Sequence, residues 1–302
     1  MKDKEKADQA AARRLAHFTP LRYPGGKGKL ADFVKGLIEL NCLNDGEYIE
    51  PYAGGAAIAL ELLFQEYVTK IHINDISRPI HAFWKSVLDH TDELARLIRN
   101  TRLTVRSWDR QKRIFINYED HDDLSLGFAA FFLNRTNRSG ILNGGIIGGR
   151  DQSGPWKIDA RFNAPELIRR IEAIARLRRR ISLSREDAHK FLSVRLNTLP
   201  ENSLIYLDPP YYMKGKALYY DYYVHEDHLR IAELMTKKVC HQKWIVSYDN
   251  VAPVRKMYAS CRRLAYKVGY SAREVREGSE IMFFCEHLRI PPPAGAMRVA
   301  RV

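Results

Sequence analysis

Residues 203–211 read Ser-Leu-Ile-Tyr-Leu-Asp-Pro-Pro-Tyr, and this stretch decides how the chain is interpreted. Its apolar run predicts a short buried strand. The two prolines end that strand, because they cannot donate to a sheet ladder and their φ angles are fixed. Asp208 therefore follows the carboxyl end of a strand, where parallel sheets present groups to ligands.

The same turn offers a particular set of contacts. The prolines hold the Asp208 carboxylate, the Pro209 carbonyl and the Tyr211 ring in a fixed relation. Two hydrogen-bond acceptors beside an aromatic ring suit the exocyclic amino group of a flat base. An ordinary strand-to-loop turn, which Asp-Pro also favours, is the alternative at this point.

A strand, a small-residue turn and a helix follow one another earlier in the chain. Residues 48–57 read Tyr-Ile-Glu-Pro-Tyr-Ala-Gly-Gly-Ala-Ala and lead into an apolar helix pattern. The next strand ends at Asp75, which stands 21 positions after Gly54. In nucleotide-binding βαβ units an acid at this spacing grips ribose hydroxyls. The pattern predicts an α/β fold; for Asp75 alone, capping of the next helix is the alternative.

A glycine-rich segment precedes that unit. Residues 18–29 read FTPLRYPGGKGK, in which Gly25 and Gly26 let the backbone approach a ligand and Lys27 supplies a positive charge. The segment lacks the Gly-x4-Gly-Lys-Ser/Thr spacing of a Walker A loop. A glycine-rich turn that opens a helix is the alternative.

Composition narrows the class of partner. The 49 Lys and Arg residues outnumber the 36 Asp and Glu residues, for a formal net charge of +13. This excess favours a polyanion, with nucleic acid ahead of an acidic membrane. No apolar run approaches the roughly 20 residues that cross a bilayer, so we expect a cytoplasmic protein. The four cysteines lack metal-ligand spacing, so we expect reduced thiols and no metal site.

Strand–helix alternation stops between about residues 78 and 176. Helical patterns at roughly 79–88, 91–100 and 122–135 precede a glycine-rich, polar run at 134–157, and an Arg-studded helix is predicted at about 164–180. Side chains of the polar run can donate to phosphates and base edges, with a flexible surface loop as the alternative. The candidates for DNA contact are Arg135, Asn137, Arg138, Asn143, Arg150, Gln152 and Lys157.

Strands return in the last third of the chain. Short apolar runs predict strands at 181–184, 203–207 and 244–247, and a terminal antiparallel pair from the runs 264–270 and 280–285. The proline-rich tail after residue 290 is expected to be disordered.

Four motifs in one order resemble the Dam-type (D12 class) DNA adenine-N6 methyltransferases. They are Tyr23-Pro24-Gly25-Gly26-Lys27, Glu50-Pro51-Tyr52-Ala53-Gly54, Asn74-Asp75 and Asp208-Pro209-Pro210-Tyr211. The resemblance runs from about residue 18 to 286 and implies a Rossmann-like, seven-stranded S-adenosylmethionine-dependent methyltransferase sheet with a DNA-recognition insertion. It divides the chain into a first catalytic part at 1–77, a target-recognition insertion at 78–176 and a second catalytic part at 177–302.

The resemblance also implies roles for single residues. Asp75 would hold the ribose of S-adenosylmethionine, and Ile76 and Asp187 would neighbour its adenine. The full set implied at the cofactor is Tyr23, Gly25, Lys27, Glu50, Tyr52, Gly54, Asp75, Ile76, Asp187 and Asp208. The set implied at the target adenine is Asp208, Pro209, Pro210 and Tyr211. Two small departures are Ala56, where a glycine is usual, and Tyr23, where the family has Trp.

The implied activity is methyl transfer from S-adenosylmethionine to adenine N6 in double-stranded DNA by base flipping. Cytosine N4 and RNA adenine are alternative targets, and the acid at position 208 favours adenine. An inactive DNA-binding regulator would have a damaged Asp208 or Asp75, and neither is damaged. A dinucleotide-dependent oxidoreductase would leave Asp-Pro-Pro-Tyr unexplained. The insertion differs from that of GATC-reading members, so the recognition sequence, an accompanying restriction enzyme and the oligomeric state stay open.

Overall fold

The computed structural model describes residues 18–22, 27–213, 223–238, 242–268 and 280–300 of the 302-residue chain. Its contacts group the chain into two compact units. Unit 1 comprises Met1–Pro24 and Ser77–Arg185, and unit 2 comprises Gly25–Ile76 and Glu186–Val302. The three-part division at residues 77 and 176 stays a prediction.

The described residues contain eight strands. They are β1 (Gly46–Glu50), β2 (Val68–Asn74), β3 (Ile181–Ser184), β4 (Leu204–Leu207), β5 (Lys243–Asp249), β6 (Arg262–Val268), β7 (Glu280–Phe284) and β8 (Met297–Val299). In unit 2 the strand order is β2-β1-β4-β5-β7-β6-β8. The pairs among β2, β1, β4 and β5 are parallel, and the remaining pairs are antiparallel. The predicted α/β class and the terminal antiparallel pair are confirmed.

The proline-rich tail is ordered as far as residue 300, so the prediction of disorder is wrong for this part. Strand β8 pairs with β6, and Met297 is buried. The Asn41 side-chain amide donates to the Arg289 carbonyl at 2.8 Å and accepts from the Arg289 N–H at 2.7 Å. Successive prolines cannot continue a helix, but the chain can still pack as extended backbone.

Helices of unit 2 cover the sheet. They are Ala31–Leu40, Ala57–Phe64, Ala188–Arg195, His225–Glu233 and Ala252–Met257, with short helical turns at Lys27–Leu30 and Leu234–Lys238. The helix Ala57–Phe64 connects β1 to β2, and six of its eight residues are buried. Its position completes the predicted strand–helix–strand unit.

Unit 1 is mainly helical. Its helices are Arg78–Asp89, Thr91–Asn100, Val105–Ile116, Asp123–Thr136 and Ala164–Arg176, with short turns at Tyr118–Asp120, Arg138–Gly140 and Arg178–Arg180. Gly127 lets two helices meet closely, since an added Cβ would lie 2.5 Å from the Ala82 carbonyl oxygen. The predicted Arg-rich helix ends at Arg176 rather than at 180. The helix Val105–Ile116 was not predicted; it is rich in charged residues and buries only Gln111 and Phe115.

Candidate functional site

Acidic residues stand at the carboxyl ends of four neighbouring parallel strands of unit 2. Glu50 and Asp249 are the last residues of β1 and β5, while Asp75 and Asp208 directly follow β2 and β4. Parallel strands bring such ends to one edge of the sheet, which is where α/β folds bind their ligands. The candidate site of unit 2 lies along this edge.

The turn after β1 is fixed by two residues at the end of β2. The Gly54 N–H donates to Asp75 Oδ2 at 2.8 Å. The buried Asn74 amide donates to the carbonyls of Pro51 at 3.0 Å and Glu186 at 2.9 Å, and its oxygen accepts the Glu186 N–H at 2.9 Å. Asn74 thus ties the turn after β1 to the segment that leads to Asp187, a role that its place in a motif did not reveal.

Asp208 has one engaged and one open carboxylate oxygen. Oδ1 accepts from the Ser247 hydroxyl at 2.8 Å and lies 3.1 Å from the Lys27 ammonium. Within the described residues, neither Asp208 Oδ2 nor the carbonyl oxygen of buried Pro209 has a hydrogen-bond partner. The Asp208 side chain is 24% exposed, so the turn holds two acceptors that an external donor can use.

Lys27 lies between two carboxylates. Its ammonium is 3.1 Å from Asp208 Oδ1 and 2.7 Å from Glu280 Oε2, and the side chains of Lys27 and Glu280 are 13% and 6% exposed. Glu280 also accepts hydroxyl hydrogen bonds from Tyr211 at 2.8 Å and from Tyr266 at 2.7 Å. The Tyr211 ring centroid lies 5.6 Å from the ammonium. The network therefore fixes both the charge beside Asp208 and the ring after the prolines.

The site shifts the pKa values of its charged groups. Burial lowers the pKa of Lys27, but the fields of Asp208, Tyr266 and Glu280 outweigh it, and the result lies well above the ordinary value. Burial raises the pKa of Asp208 and Lys27 opposes the rise, so the net shift is upward. Burial raises the pKa of Glu50 to about 8, despite hydrogen bonds from Tyr48 and the Ala59 N–H. At neutral pH Glu50 is therefore mostly a neutral acid, whereas Lys27 is charged.

The loop after the two prolines is held by Asp249. Its Oδ1 accepts the Tyr212 N–H at 2.9 Å and its Oδ2 accepts the Met213 N–H at 3.1 Å. The Tyr212 ring packs on buried His228, whose Nδ1 is 3.0 Å from the Tyr248 hydroxyl. Burial lowers the pKa of His228 to about 4, so this ring is neutral. The hydrogen bonds to Asp249 therefore fix the backbone that directly follows Tyr211.

The structure describes eight of the ten residues that the resemblance implies at the cofactor. Tyr23 and Gly25 lie outside the described residues. The Tyr52 hydroxyl donates to the Tyr223 hydroxyl at 3.0 Å, and Ile76 exposes 42% of its surface beside Asp75. Asp187 caps the helix Ala188–Arg195 by accepting the Lys190 N–H at 3.1 Å.

Sequence reasoning missed two residues of this network, Ser247 and Glu280. Ser247 follows Val246, which pairs with Leu207 one position before Asp208. The sequence predicts a strand at 244–247 that ends in polar residues. If β5 had been placed beside β4, Ser247 would have been recognised as a neighbour of Asp208. Glu280 opens β7 and pairs with Asp249, a relation that local sequence does not carry.

Two of the DNA-contact candidates in unit 1 use their side-chain amides in hydrogen bonds within the loop. Asn137 is fully buried; it accepts from the Trp108 indole at 2.7 Å and donates to the carbonyls of Ile141 and Leu142. The Gln152 amide donates to the carbonyls of Ile147 at 2.8 Å and Gly149 at 2.6 Å and accepts the Ile158 N–H. These contacts favour a role in shaping the loop rather than in reading bases.

The remaining candidates leave more of their side chains in solvent. Arg138, Asn143, Arg150 and Lys157 are exposed, and Arg135 is half-buried. Arg150 forms a two-point ion pair with Asp109 at 2.8 and 3.0 Å. Lys112 approaches the Asn143 side chain at 3.4 Å. The exposed basic side chains can contact a phosphate directly.

Two other kinds of site are absent from the described ranges. They contain no group of three or more His, Cys, Asp or Glu side chains placed to hold a metal ion. No helix among them combines the length and the apolar character that a membrane span needs.

Comparisons with known proteins agree with the motifs. The D12 class N6 adenine-specific DNA methyltransferase family matches residues 23–272. Type II methyltransferase M.MjaIII of Methanocaldococcus jannaschii is 24% identical over 237 residues, which cover 72% of this chain and 78% of the relative. Among solved structures, protein LPL1258 from Legionella pneumophila str. Philadelphia 1 matches with a TM-score of 0.33 and 11% identity over 86% of each chain.

Proposed function

The chain belongs to the D12 class of N6 adenine-specific DNA methyltransferases, and from this premise we propose that it uses S-adenosylmethionine to methylate an adenine flipped out of double-stranded DNA at Asp208. Methylation of adenine in DNA is the activity of the family. The observation that carries the proposed site is a pair of acceptors beside the Tyr211 ring, Asp208 Oδ2 and the Pro209 carbonyl, for which the described residues offer no donor.

Flipping is needed because the N6 atom of a stacked adenine cannot meet a methyl donor in line. Extrusion costs a few kcal/mol, and stacking on an aromatic ring offsets about 1–3 kcal/mol of it. Tyr211 supplies that ring in our proposal. Its hydroxyl donates to Glu280 at 2.8 Å, so the ring is already oriented before the base arrives.

The two acceptors would act on the amino group itself. The N6 lone pair is delocalised into the purine ring and is a poor nucleophile. If Asp208 Oδ2 and the Pro209 carbonyl each accept one N6 hydrogen, the nitrogen pyramidalises and its lone pair points out of the ring plane. Positioning and oriented acceptors then supply most of the catalysis.

Lys27 and Ser247 would keep Asp208 ready for this role. Both engage Oδ1, at 3.1 and 2.8 Å, which leaves Oδ2 for the substrate and limits rotation of the carboxylate. The ammonium also opposes the upward shift that burial causes in the pKa of Asp208. A neutral carboxylic acid at this position would be a weaker acceptor.

The residues present fit S-adenosylmethionine, which supplies a methyl group on a sulfonium when bound. Asp75 is an acid at the end of the second strand, which suits ribose hydroxyls. Ile76 exposes an apolar surface that a flat adenine ring would cover. We propose Lys27, Glu50, Tyr52, Gly54, Asp75, Ile76, Asp187 and Asp208 as its binding residues, together with Tyr23 and Gly25.

For the DNA we propose that the exposed residues Arg138, Asn143, Arg150 and Lys157 make direct contacts, while Asn137 and Gln152 hold the loop that carries them. A DNA substrate also supports the predicted cytoplasmic location, which remains a proposal. Expression in a host that lacks adenine methylation, followed by sequencing that detects modified bases, tests the function. We expect N6-methyladenine within one sequence word; unmodified DNA or N4-methylcytosine would contradict the proposal.

A further inference from the structure

Four arginines of unit 1 form a group that we call the arginine cluster: Arg22, Arg135, Arg161 and Arg170. They come from three separate parts of unit 1, and the side chains of Arg22, Arg135 and Arg170 donate to main-chain oxygens. Arg135 Nε donates to the Arg161 carbonyl at 2.8 Å, and one Arg22 nitrogen donates to the Asn137 carbonyl at 3.2 Å. Arg170 donates to the Thr19 carbonyl at 3.1 Å. The fold thus gathers like charges and fixes the positions of Arg22, Arg135 and Arg170.

The positive charge of the cluster is poorly compensated. Arg170 pairs with Glu166 at 3.1 Å, and the same carboxylate also contacts Arg169. Arg22, Arg135 and Arg161 have no ion pair with any residue that the structure describes. Uncompensated charges of one sign, partly removed from water, repel one another and are costly to the folded state.

The pKa values of two of these arginines reflect the burial and the repulsion. Burial and then the neighbouring arginines Arg22, Arg170 and Arg161 lower the pKa of Arg135 to about 9. Burial and then Arg161 lower the pKa of Arg22 as well. Arginine ordinarily stays charged far above physiological pH, so such shifts mark a place that favours an anion.

We propose that the arginine cluster binds a phosphate group of the DNA backbone, an inference that rests on the proposed function and adds a specific DNA contact to it. Guanidinium groups match phosphate in a two-point geometry and are weakly hydrated, so they can be held partly buried. Among the described residues only Nε of Arg135 forms a hydrogen bond, which leaves its terminal nitrogens to donate. Exposed Arg161 also lies 5.9 Å from the ring of Trp156, which is 67% exposed.

The proposal predicts opposite effects on stability and on binding. Arg161→Gln removes a repelling charge, so the melting temperature should stay constant or rise, while DNA binding weakens. A structural role for the cluster predicts the reverse, namely a lower melting temperature with unchanged DNA binding. Arg99→Gln, on the exposed face of helix Thr91–Asn100, is the control for loss of one positive charge.

The test is the dependence of duplex binding on salt, measured by fluorescence anisotropy. Loss of one phosphate contact should reduce the log–log slope by about 1 in Arg161→Gln, with no change in Arg99→Gln. The control Arg99→Gln should also keep the wild-type turnover at saturating DNA. Arg135→Gln is a second variant, with the same expected loss of slope.

Several outcomes would overturn the inference. Unchanged slopes in both Arg161→Gln and Arg135→Gln exclude a backbone contact. Unchanged slopes together with a melting temperature that inorganic phosphate raises only in the wild type would show a site for free phosphate rather than for DNA. The salt slopes could fall as expected while the wild type leaves adenine unmodified in the host that lacks adenine methylation. In that case the proposed function fails, but the phosphate contact of the arginine cluster is supported.

Discussion

The two basic centres of this protein handle charge in opposite ways. In unit 2 the Lys27 ammonium has internal partners, since it lies within 3.1 Å of Asp208 and within 2.7 Å of Glu280. In unit 1 three arginines of the arginine cluster lack a carboxylate partner among the described residues. A cation with internal partners positions other groups, whereas a cluster without them favours an anion from outside.

Replacement of Asp208, the group that Lys27 positions in unit 2, should have the largest effect on turnover. Asp208→Ala deletes one of the two acceptors, and loss of one oriented group of this kind costs about 1,000-fold in turnover. Because the acceptor acts mostly in the transition state, DNA affinity should change little. Rapid-quench measurement of methyl transfer, beside anisotropy for DNA, checks both. Asp92→Ala, an exposed change in unit 1, is the control, and near-normal turnover in Asp208→Ala would refute the assignment.

Replacement of Lys27 sharpens the contrast in stability. Lys27→Met leaves Asp208 and Glu280 without their cation, and we expect a loss of about 3 kcal/mol in the free energy of unfolding. Arg161→Gln, by contrast, should cause no loss. Urea unfolding of the two variants makes the comparison; equal effects would remove the distinction between the two centres.

The same Lys27 variant has a consequence for pH. Lys27 lowers the pKa of Asp208 against the rise that burial causes, so without it the carboxylate gains its proton at higher pH. The acid limb of the turnover profile should therefore move upward in Lys27→Met. An acid limb that stays in place would show that another group controls it.

A smaller effect is expected at Asp249, which positions the loop after the two prolines. Asp249→Ala removes the acceptors of the Tyr212 and Met213 N–H groups, so turnover should fall roughly tenfold through misplacement of the catalytic turn. Asp249→Asn keeps one acceptor and should recover part of the rate. If both variants matched the wild type in turnover, the hydrogen bonds to Asp249 would have no role in catalysis.

Glu50 gives the smallest effect at pH 5 and tests the comparison with an acid instead of a base. Glu50 avoids the cost of a buried charge by staying protonated, whereas Lys27 and the arginines of the cluster stay charged. Its folded pKa of about 8 exceeds the ordinary 4.5, so its contribution to stability is full below pH 4.5 and is lost as pH rises through about 8. Glu50→Gln should change stability by less than about 1 kcal/mol at pH 5.

The measurement for Glu50 is the free energy of unfolding between about pH 5 and 9. The wild type should lose stability over this range, and Glu50→Gln should lose less. Parallel curves for the two proteins would show that Glu50 does not titrate as burial predicts.

The parts of the site that sequence predicted are those set by local chain chemistry. The strand before Asp208 was predicted because Pro209 and Pro210 end it, and the turn at Gly54 because small residues follow a strand. Ser247 and Glu280 were missed because their contacts with Asp208 and Lys27 depend on strand order, which brings distant segments together.

The polar loop of unit 1 shows a second limit. Asn137 and Arg138 are adjacent and both polar, yet one is fully buried and the other is exposed. Nothing in their residue types separates an amide that holds a loop from a side chain that faces solvent, because both can form hydrogen bonds. The arginine cluster was likewise invisible, since Arg22 lies more than a hundred positions from Arg135.

A crystal structure with duplex DNA and a non-reactive analogue of the methyl donor would test the central claim most directly. We predict an extruded adenine whose N6 atom lies about 2.7–3.2 Å from both Asp208 Oδ2 and the Pro209 carbonyl oxygen. An adenine that remains stacked in the helix, or an Asp208 carboxylate turned away from N6, would contradict the account.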